Sequence, residues 1–300
     1  MTKNSVLKGV FLIGIGAASY GMLATIVKIA YSEGYTTAEV TLAQLLIGVI
    51  GMLLIIGLQK ATNKKEDIKA SGKNIFHLML AGTPLGFTNI FIYMAINYIP
   101  VSIAIVLLMQ SVWMGVVFEM FLEKKTPSLQ KIIAAIIVLL GTVLATNLIE
   151  NTNQLNWTGV FYGMLSAVSF TTTLVTANNV APEVSHTKRS LFMLIGGTII
   201  AFIYVLIAQT TPFHFDVFLK WGIILAFLGT IIPPLFFNIG FPLTGIGLGS
   251  IVSALELPVS VLMAYFILDE KVNATQWFGN IVIILAIILM NIDFKQFLKR

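Results

Sequence analysis

The sequence contains no cysteine, and that single absence removes disulfides, thiolate metal sites and a cysteine nucleophile together. Charge is scarce as well: only 10% of the residues are Asp, Glu, Lys or Arg, against roughly 25% in ordinary soluble domains. So little polarity cannot clothe the surface of a water-soluble protein of this length. No G-x-x-x-x-G-K-[ST] loop and no G-x-S-x-G elbow occur, which removes the familiar signatures of ATP hydrolysis and serine esterase chemistry. His77, His186 and His214 are scattered near the ends of apolar runs, with no metal-binding spacing. No enzyme chemistry, cofactor or metal is therefore expected. The net charge of +5 invites a nucleic-acid reading, but no basic face interleaved with aromatics supports one.

What remains is apolar. Hydrophobic residues make up 57% of the chain, and a bilayer core of ~30 Å needs about 20 of them per helical crossing. Runs long enough for that lie near 9–28, 38–59, 75–97, 101–122, 130–149, 157–178, 190–209, 221–242, 247–268 and 274–293. The fold class expected is an all-α membrane protein of ten transmembrane helices, because open sheet edges cannot face lipid. Two boundaries, Asn97-Tyr98-Ile99-Pro100 and Pro242-Leu243-Thr244-Gly245, fall inside uncharged stretches and imply tight turns. The apolar stretch after Lys8 lacks a cleavage site followed by a polar mature domain, so it reads as a retained first helix.

Charge placement orients the spans. With the N-terminus inside, Lys28, Lys220 and Lys271 are the basic residues outside, leaving fifteen of the 18 Lys and Arg on the cytoplasmic side. That is the positive-inside pattern. Trp157, Trp221 and Trp277 each open a span on the outer side, where an aromatic belt belongs. Both termini are expected in the cytoplasm.

The chain also repeats itself. Gly9-Val10-Phe11 returns as Gly159-Val160-Phe161 and Ser19-Tyr20 as Ser169-Phe170, at an offset of 150. Gly82-Thr83 returns as Gly229-Thr230, Leu108 as Leu255, Val112 as Val259 and Glu123-Lys124 as Glu270-Lys271, at an offset of 147. Residues 1–150 and 151–300 are thus read as two copies of a five-span unit. Five is odd, so the second copy must insert upside down, and inverted repeats place a substrate site near the midplane between them.

In Ala254-Leu255-Glu256-Leu257-Pro258-Val259, Leu268-Asp269-Glu270-Lys271 and Gln276-Trp277-Phe278-Gly279 the chain resembles the EamA-type ten-helix transporters of the drug/metabolite transporter superfamily. A weaker echo stands in the first half, at Leu108-Met109-Gln110-Ser111-Val112, Leu122-Glu123-Lys124 and Gly141. Ser111 replaces Pro258 there and the mid-helix acid is missing, so the two half-sites differ chemically. The resemblance implies a carrier of the plasma (inner) membrane, often an exporter of amino acids or related metabolites. It also implies that spans 1–4 and 6–9 line the cavity while spans 5 and 10 brace the outside.

Polar residues at membrane depth are costly and usually face a cavity or another helix. Glu256 lies mid-span beside Pro258, which deletes one backbone hydrogen bond and invites a hinge; it could bind an amine, carry a proton or pair with another helix. Gln44, Asn89 and Gln110 offer donor and acceptor together, and equally serve as interhelical glue worth about 0.6–2 kcal/mol. Trp113, Tyr20 and Tyr93 are candidate aromatic walls. Thr172, within Thr171-Thr172-Thr173, either faces the cavity or bonds back to its own helix. Alternating access by a secondary transporter, with possible proton coupling and no cofactor, is the leading reading. An uncoupled facilitator and a non-transporting receptor or assembly protein are the alternatives, and the assembly is a monomer or homodimer. The partners expected are a small-molecule substrate and the bilayer.

Overall fold

A computed structural model of the chain describes residues 3–62, 71–99, 101–124, 126–146, 156–269 and 271–291. Among them every regular element is a helix. Spans 1, 2 and 3 are Lys3–Ser32, Thr37–Thr62 and Gly72–Ile96; span 4 is Val101–Leu108 plus Ser111–Glu123; span 5 is Leu129–Ala145. Spans 6 and 7 are Trp157–Asn179 and His186–Ala208, span 8 is Phe218–Thr244, span 9 is Ile246–Ser253 plus Glu256–Ile267, and span 10 is Ala274–Asn291. Eight of these are long and apolar enough to cross a membrane, and spans 5 and 10 are shorter apolar helices. The 17 residues of span 5 rise about 25 Å, the low end of what a crossing needs. The ten spans form two inverted sets of five. We call the side carrying the start of span 1 and the end of span 10 the terminal side, and its opposite the far side. Most of the basic loop after span 2, 63–70, lies outside the described residues.

Two spans read as continuous from the sequence are broken at mid-depth. In span 9 Pro258 has no N–H for the Ala254 carbonyl, which instead accepts from Leu257 N at 3.1 Å. Span 4 breaks at Met109-Gln110 without a proline. There the Gln110 side-chain amide donates to the Val106 carbonyl at 3.0 Å, a local substitute for the helical bond that loosens the turn. Span 8 carries two π-helical turns, Phe218–Gly222 and Phe227–Ile231, just ahead of Pro233 and Pro234. The threonine run of span 6 bonds back as its chemistry allows: Thr171, Thr172 and Thr173 donate to Ala167, Val168 and Ser169 at 2.8, 2.8 and 3.1 Å.

Glycines set how closely the spans approach. Spans 3 and 7 meet at Gly82, Gly86 and Gly196, and spans 5 and 10 at Gly141 and Gly279. On the terminal side, Gly9 of span 1 lies against Gly240, Leu243 and Thr244 of span 8.

A buried cation ties spans 6, 7 and 8 on the same side. Arg189 is fully buried, and donates from Nε to the Val180 carbonyl at 3.1 Å and from Nη2 to that of Ala177 at 2.7 Å. Its Nη1 reaches the Asn238 carbonyl at 3.4 Å. Ala177 lies in the last turn of span 6 and Val180 caps it, so the guanidinium satisfies orphan carbonyls where the helix dipole also favours a cation. Arg189→Leu strands those carbonyls in an apolar layer and is expected to cost about 3 kcal/mol or more. Chemical denaturation in detergent micelles measures it, and an unchanged midpoint would show that water already serves those carbonyls.

Candidate functional site

Span 1 crosses the second half of span 9 at Gly21. A Cβ there would stand 2.4 Å from the Glu256 carbonyl oxygen and 2.8 Å from Val259 Cβ, so only glycine permits this approach. The crossing sets Tyr20 beside Glu256. The acid opens the half-helix Glu256–Ile267, where orphan N–H groups and the dipole favour a negative charge. Its carboxyl makes no hydrogen bond or ion pair among the described residues, and it lines a small inner chamber of about 60 Å³.

Spans 1, 3, 4, 6 and 9 enclose that chamber. Tyr20, Asn89, Tyr93, Phe170 and Glu256 lie on its wall. The Asn89 amide nitrogen is buried with no partner among the described residues, a costly condition for a donor unless something enters to accept from it. Tyr20 packs edge-on to Phe170, with centroids 6.1 Å apart, and tilted against Phe237 at 5.8 Å. Tyr93 donates to Gln44 Oε1 at 2.9 Å. Gln44 itself is fully buried behind Tyr93, against Gly229 of span 8.

The inner chamber shares Ala24, Ile96 and Ile105 with a vestibule of about 690 Å³ that opens on the far side. Lys28, Asn97, Ser260 and Lys271 line that vestibule, along with Thr146 and Gln276 from the ends of spans 5 and 10. Spans 5 and 10 therefore brace each other and also contribute to the mouth. The sequence places Lys28 and Lys271 on the outer side, but nothing in their spacing shows that spans 1 and 9 converge.

Three other sequence candidates lie elsewhere. Gln110 is held by its own helix, and its Oε1 accepts from Trp113 Nε1 at 3.0 Å; neither residue lines the inner chamber or the vestibule. Trp113 is 40% exposed. Thr172 is spent on Val168 and also lies off both chambers. Asn89, Tyr93, Tyr20 and Glu256 are the sequence candidates that the fold brings together.

Beside the vestibule, polar bonds clasp the loop after span 1 to the loop after span 7. Glu39, fully buried, accepts from the backbone of Thr36 and of His214, each at 2.7 Å, and from His214 Nδ1 at 2.9 Å. Thr36 Oγ1 accepts in turn from Glu39 N at 3.2 Å, closing a capping box. Tyr35 bonds to Asp216, while Glu33 pairs with Lys220 at 2.9 Å and accepts from Trp221 Nε1 at 2.7 Å. Lys220 and then Trp221 hold Glu33 below its usual carboxylate value, and Tyr35 does the same for Asp216. The Asp216 bond pushes the Tyr35 phenol up to about 12. Lowered carboxylates add stability above their unfolded pKa, and it is lost as pH falls through the folded one. Hydrogen-exchange protection of residues 209–217 is thus expected to persist at pH 5 and to drop only below about pH 4. Protection lost between pH 7 and 5 would contradict this pairing.

The sequence profile described as the EamA-like transporter family matches residues 7–147 and again 157–292. No curated protein matches the chain. Among solved structures 28 chains match. One, a crystal structure, has a TM-score of 0.74 at 15% identity, covering 96% of this chain and 97% of the other. At that identity the likeness bears on the fold alone.

Proposed function

Because this chain belongs to the EamA-like transporter family, we propose that it is a secondary transporter exporting small amine-bearing metabolites, amino acids among them, across the plasma membrane. Its termini then face the cytoplasm and the vestibule faces outside. One observation carries the reading: the Glu256 carboxyl, with no partner among the described residues, stands in an inner chamber joined to a vestibule that opens on the far side. An uncompensated charge there is expensive, and a cationic group or a proton entering from the vestibule would offset it. Loading of substrate from the terminal side, ahead of its release through the vestibule, requires the Gly9–Gly240 contact to part as the vestibule narrows, which is alternating access in an inverted repeat.

Reconstituted proteoliposomes tested with amino acids, amines and nucleobases, with and without a pH gradient, decide the matter. Saturable flux of an amine-bearing compound is expected, and it should respond to the gradient. Flux indifferent to pH would leave an uncoupled facilitator. No flux for any compound would favour a receptor or assembly role. A reporter-fusion map that placed the termini outside would reverse the assigned direction.

A further inference from the structure

A second cavity, of about 410 Å³, lies on the far side where the loop after span 1 meets the ends of spans 3 and 7. Tyr31, Tyr204, Thr36, Thr37, Asn97 and Gln209 stand on its wall, and Asn97 is common to it and to the vestibule. No Asp, Glu, Lys or Arg belongs to that wall among the described residues. The acids of the adjoining clasp are already bound, Glu39 by His214 and Asp216 by Tyr35. Part of the wall is fixed by its own bonds. Thr36 Oγ1 donates to Gln209 Oε1 at 2.8 Å, and the Gln209 amide donates to Thr211. The rest is unspent. Thr37 Oγ1 accepts from Tyr31 at 3.0 Å and from the Asn97 amide at 3.3 Å, so its own proton is left to donate. Neither Asn97 Oδ1 nor the Tyr204 hydroxyl makes a hydrogen bond among the described residues.

We infer that this cavity is a binding site for an uncharged pyranose ring, from a sugar in the surrounding medium or from the headgroup of a glycolipid. A sugar hydroxyl donates and accepts at once, and the wall offers both, with protons on Thr37 and Tyr204 and a free oxygen on Asn97. An anion finds no cation on this wall and a cation finds no carboxylate, while an apolar ligand would leave the polar groups unpaired. The tyrosines supply the other half of the recognition. An aromatic face is negative, which attracts the positively polarised C–H groups of a pyranose, and a tyrosine loses little rotamer freedom on binding. An interfacial aromatic belt accounts for tyrosines at this depth, but not for the amides and threonine hydroxyls gathered with them. The volume of about 410 Å³ lies in the range of ligand pockets, roughly 300–1,000 Å³. The site stands apart from the Glu256 chamber and does not rest on the transport reading.

The test uses the full chain in phosphatidylcholine nanodiscs, free of sugar-based detergent, with saturation-transfer NMR reporting on ligand protons. Glucose is expected to show saturable transfer, while glucuronate and cyclohexanol bind more weakly. Tyr204→Phe deletes a hydroxyl that bonds to no described residue, and should weaken glucose binding by about 2- to 12-fold, the worth of one hydrogen bond. Ala208→Trp, at the exposed end of span 7, fills the cavity and should abolish the transfer. Glu256→Gln should bind glucose as the wild type does; a loss there would put the sugar in the inner chamber and overturn the inference. It is equally overturned by a folded wild type without saturable transfer to glucose, by glucuronate or cyclohexanol matching glucose, or by transfer unchanged in either cavity variant. Monoglucosyl diacylglycerol added to the bilayer reads the source. Displacement of glucose identifies a glycolipid headgroup as the occupant, and undiminished glucose binding identifies a soluble sugar. Failure of amine flux in proteoliposomes would leave this site standing.

Discussion

Glu256→Gln is expected to lower uptake of an amine substrate at subsaturating concentration by about 10- to 150-fold and to leave the folded protein at least as stable as the wild type. The magnitude is that of one hydrogen bond to a charged partner, about 1.5–3 kcal/mol, at 1.4 kcal/mol per tenfold. The undiminished stability follows from what the carboxyl touches. It bonds to no described residue, so the amide, nearly identical in shape, breaks no contact within the protein. Glu119 provides the contrast. Its carboxylate pairs with Lys131 of span 5 beside Gly245 and Gly247, so Glu119→Gln should show its cost in thermal unfolding first. Initial uptake rates in proteoliposomes, set beside melting curves of the same preparations, separate the two effects. Wild-type uptake by Glu256→Gln at every pH would return that residue to a packing role.

The largest loss of folded protein is expected from Gly82→Ala. A Cβ at Gly82 would lie 1.8 Å from the Met193 carbonyl oxygen, and one at Gly196 equally close to that of Met79. Both obstacles are backbone, which no rotamer change can clear, so spans 3 and 7 would have to separate along their whole contact. Overpacking ordinarily costs about 1–3 kcal/mol, and a clash of two main chains belongs at or beyond the top of that range. Gly57 is the control: nothing stands within 4 Å of its added Cβ. Gly57→Ala should gain up to about 1 kcal/mol from helix propensity. Monodisperse yield in detergent and the denaturation midpoint measure both. If Gly82→Ala matched the wild type, the spans would have to stand further apart than described.

Much of this was legible in the sequence, for reasons that differ by level. Span count followed from apolar length, which the bilayer sets directly. Inversion followed from the offset of 150 between Gly9-Val10-Phe11 and Gly159-Val160-Phe161 and the odd number of spans between copies. Glu256 could be singled out because a mid-span acid is rare enough to need a reason. Rarity does not tell where an amide points. Gln110 and Asn89 look alike in a string of letters, yet Gln110 turns back to a carbonyl freed by a helix break and Asn89 faces the chamber. The break in span 4 carries no proline to announce it. Lys28 and Lys271 are far apart in sequence, and the glycine contact at Gly21 that brings their helices together is visible only once the chain is folded. The capping box at Thr36 and Glu39 was the one cue that could have been read earlier, as Thr-x-x-Glu ahead of an apolar run.

Glu39 and Arg189 stand 150 positions apart, at matching places in the two copies, and both are fully buried. The acid gathers N–H groups at a helix start; the guanidinium gathers carbonyls at a helix end. Their signs cannot be exchanged, since a carboxylate placed among the carbonyls of Ala177 and Val180 would be repelled by each of them. The two halves have therefore stopped being spare parts for one another. A tandem of two first halves would keep the hydrophobic outline and put a repelled acid where span 6 ends.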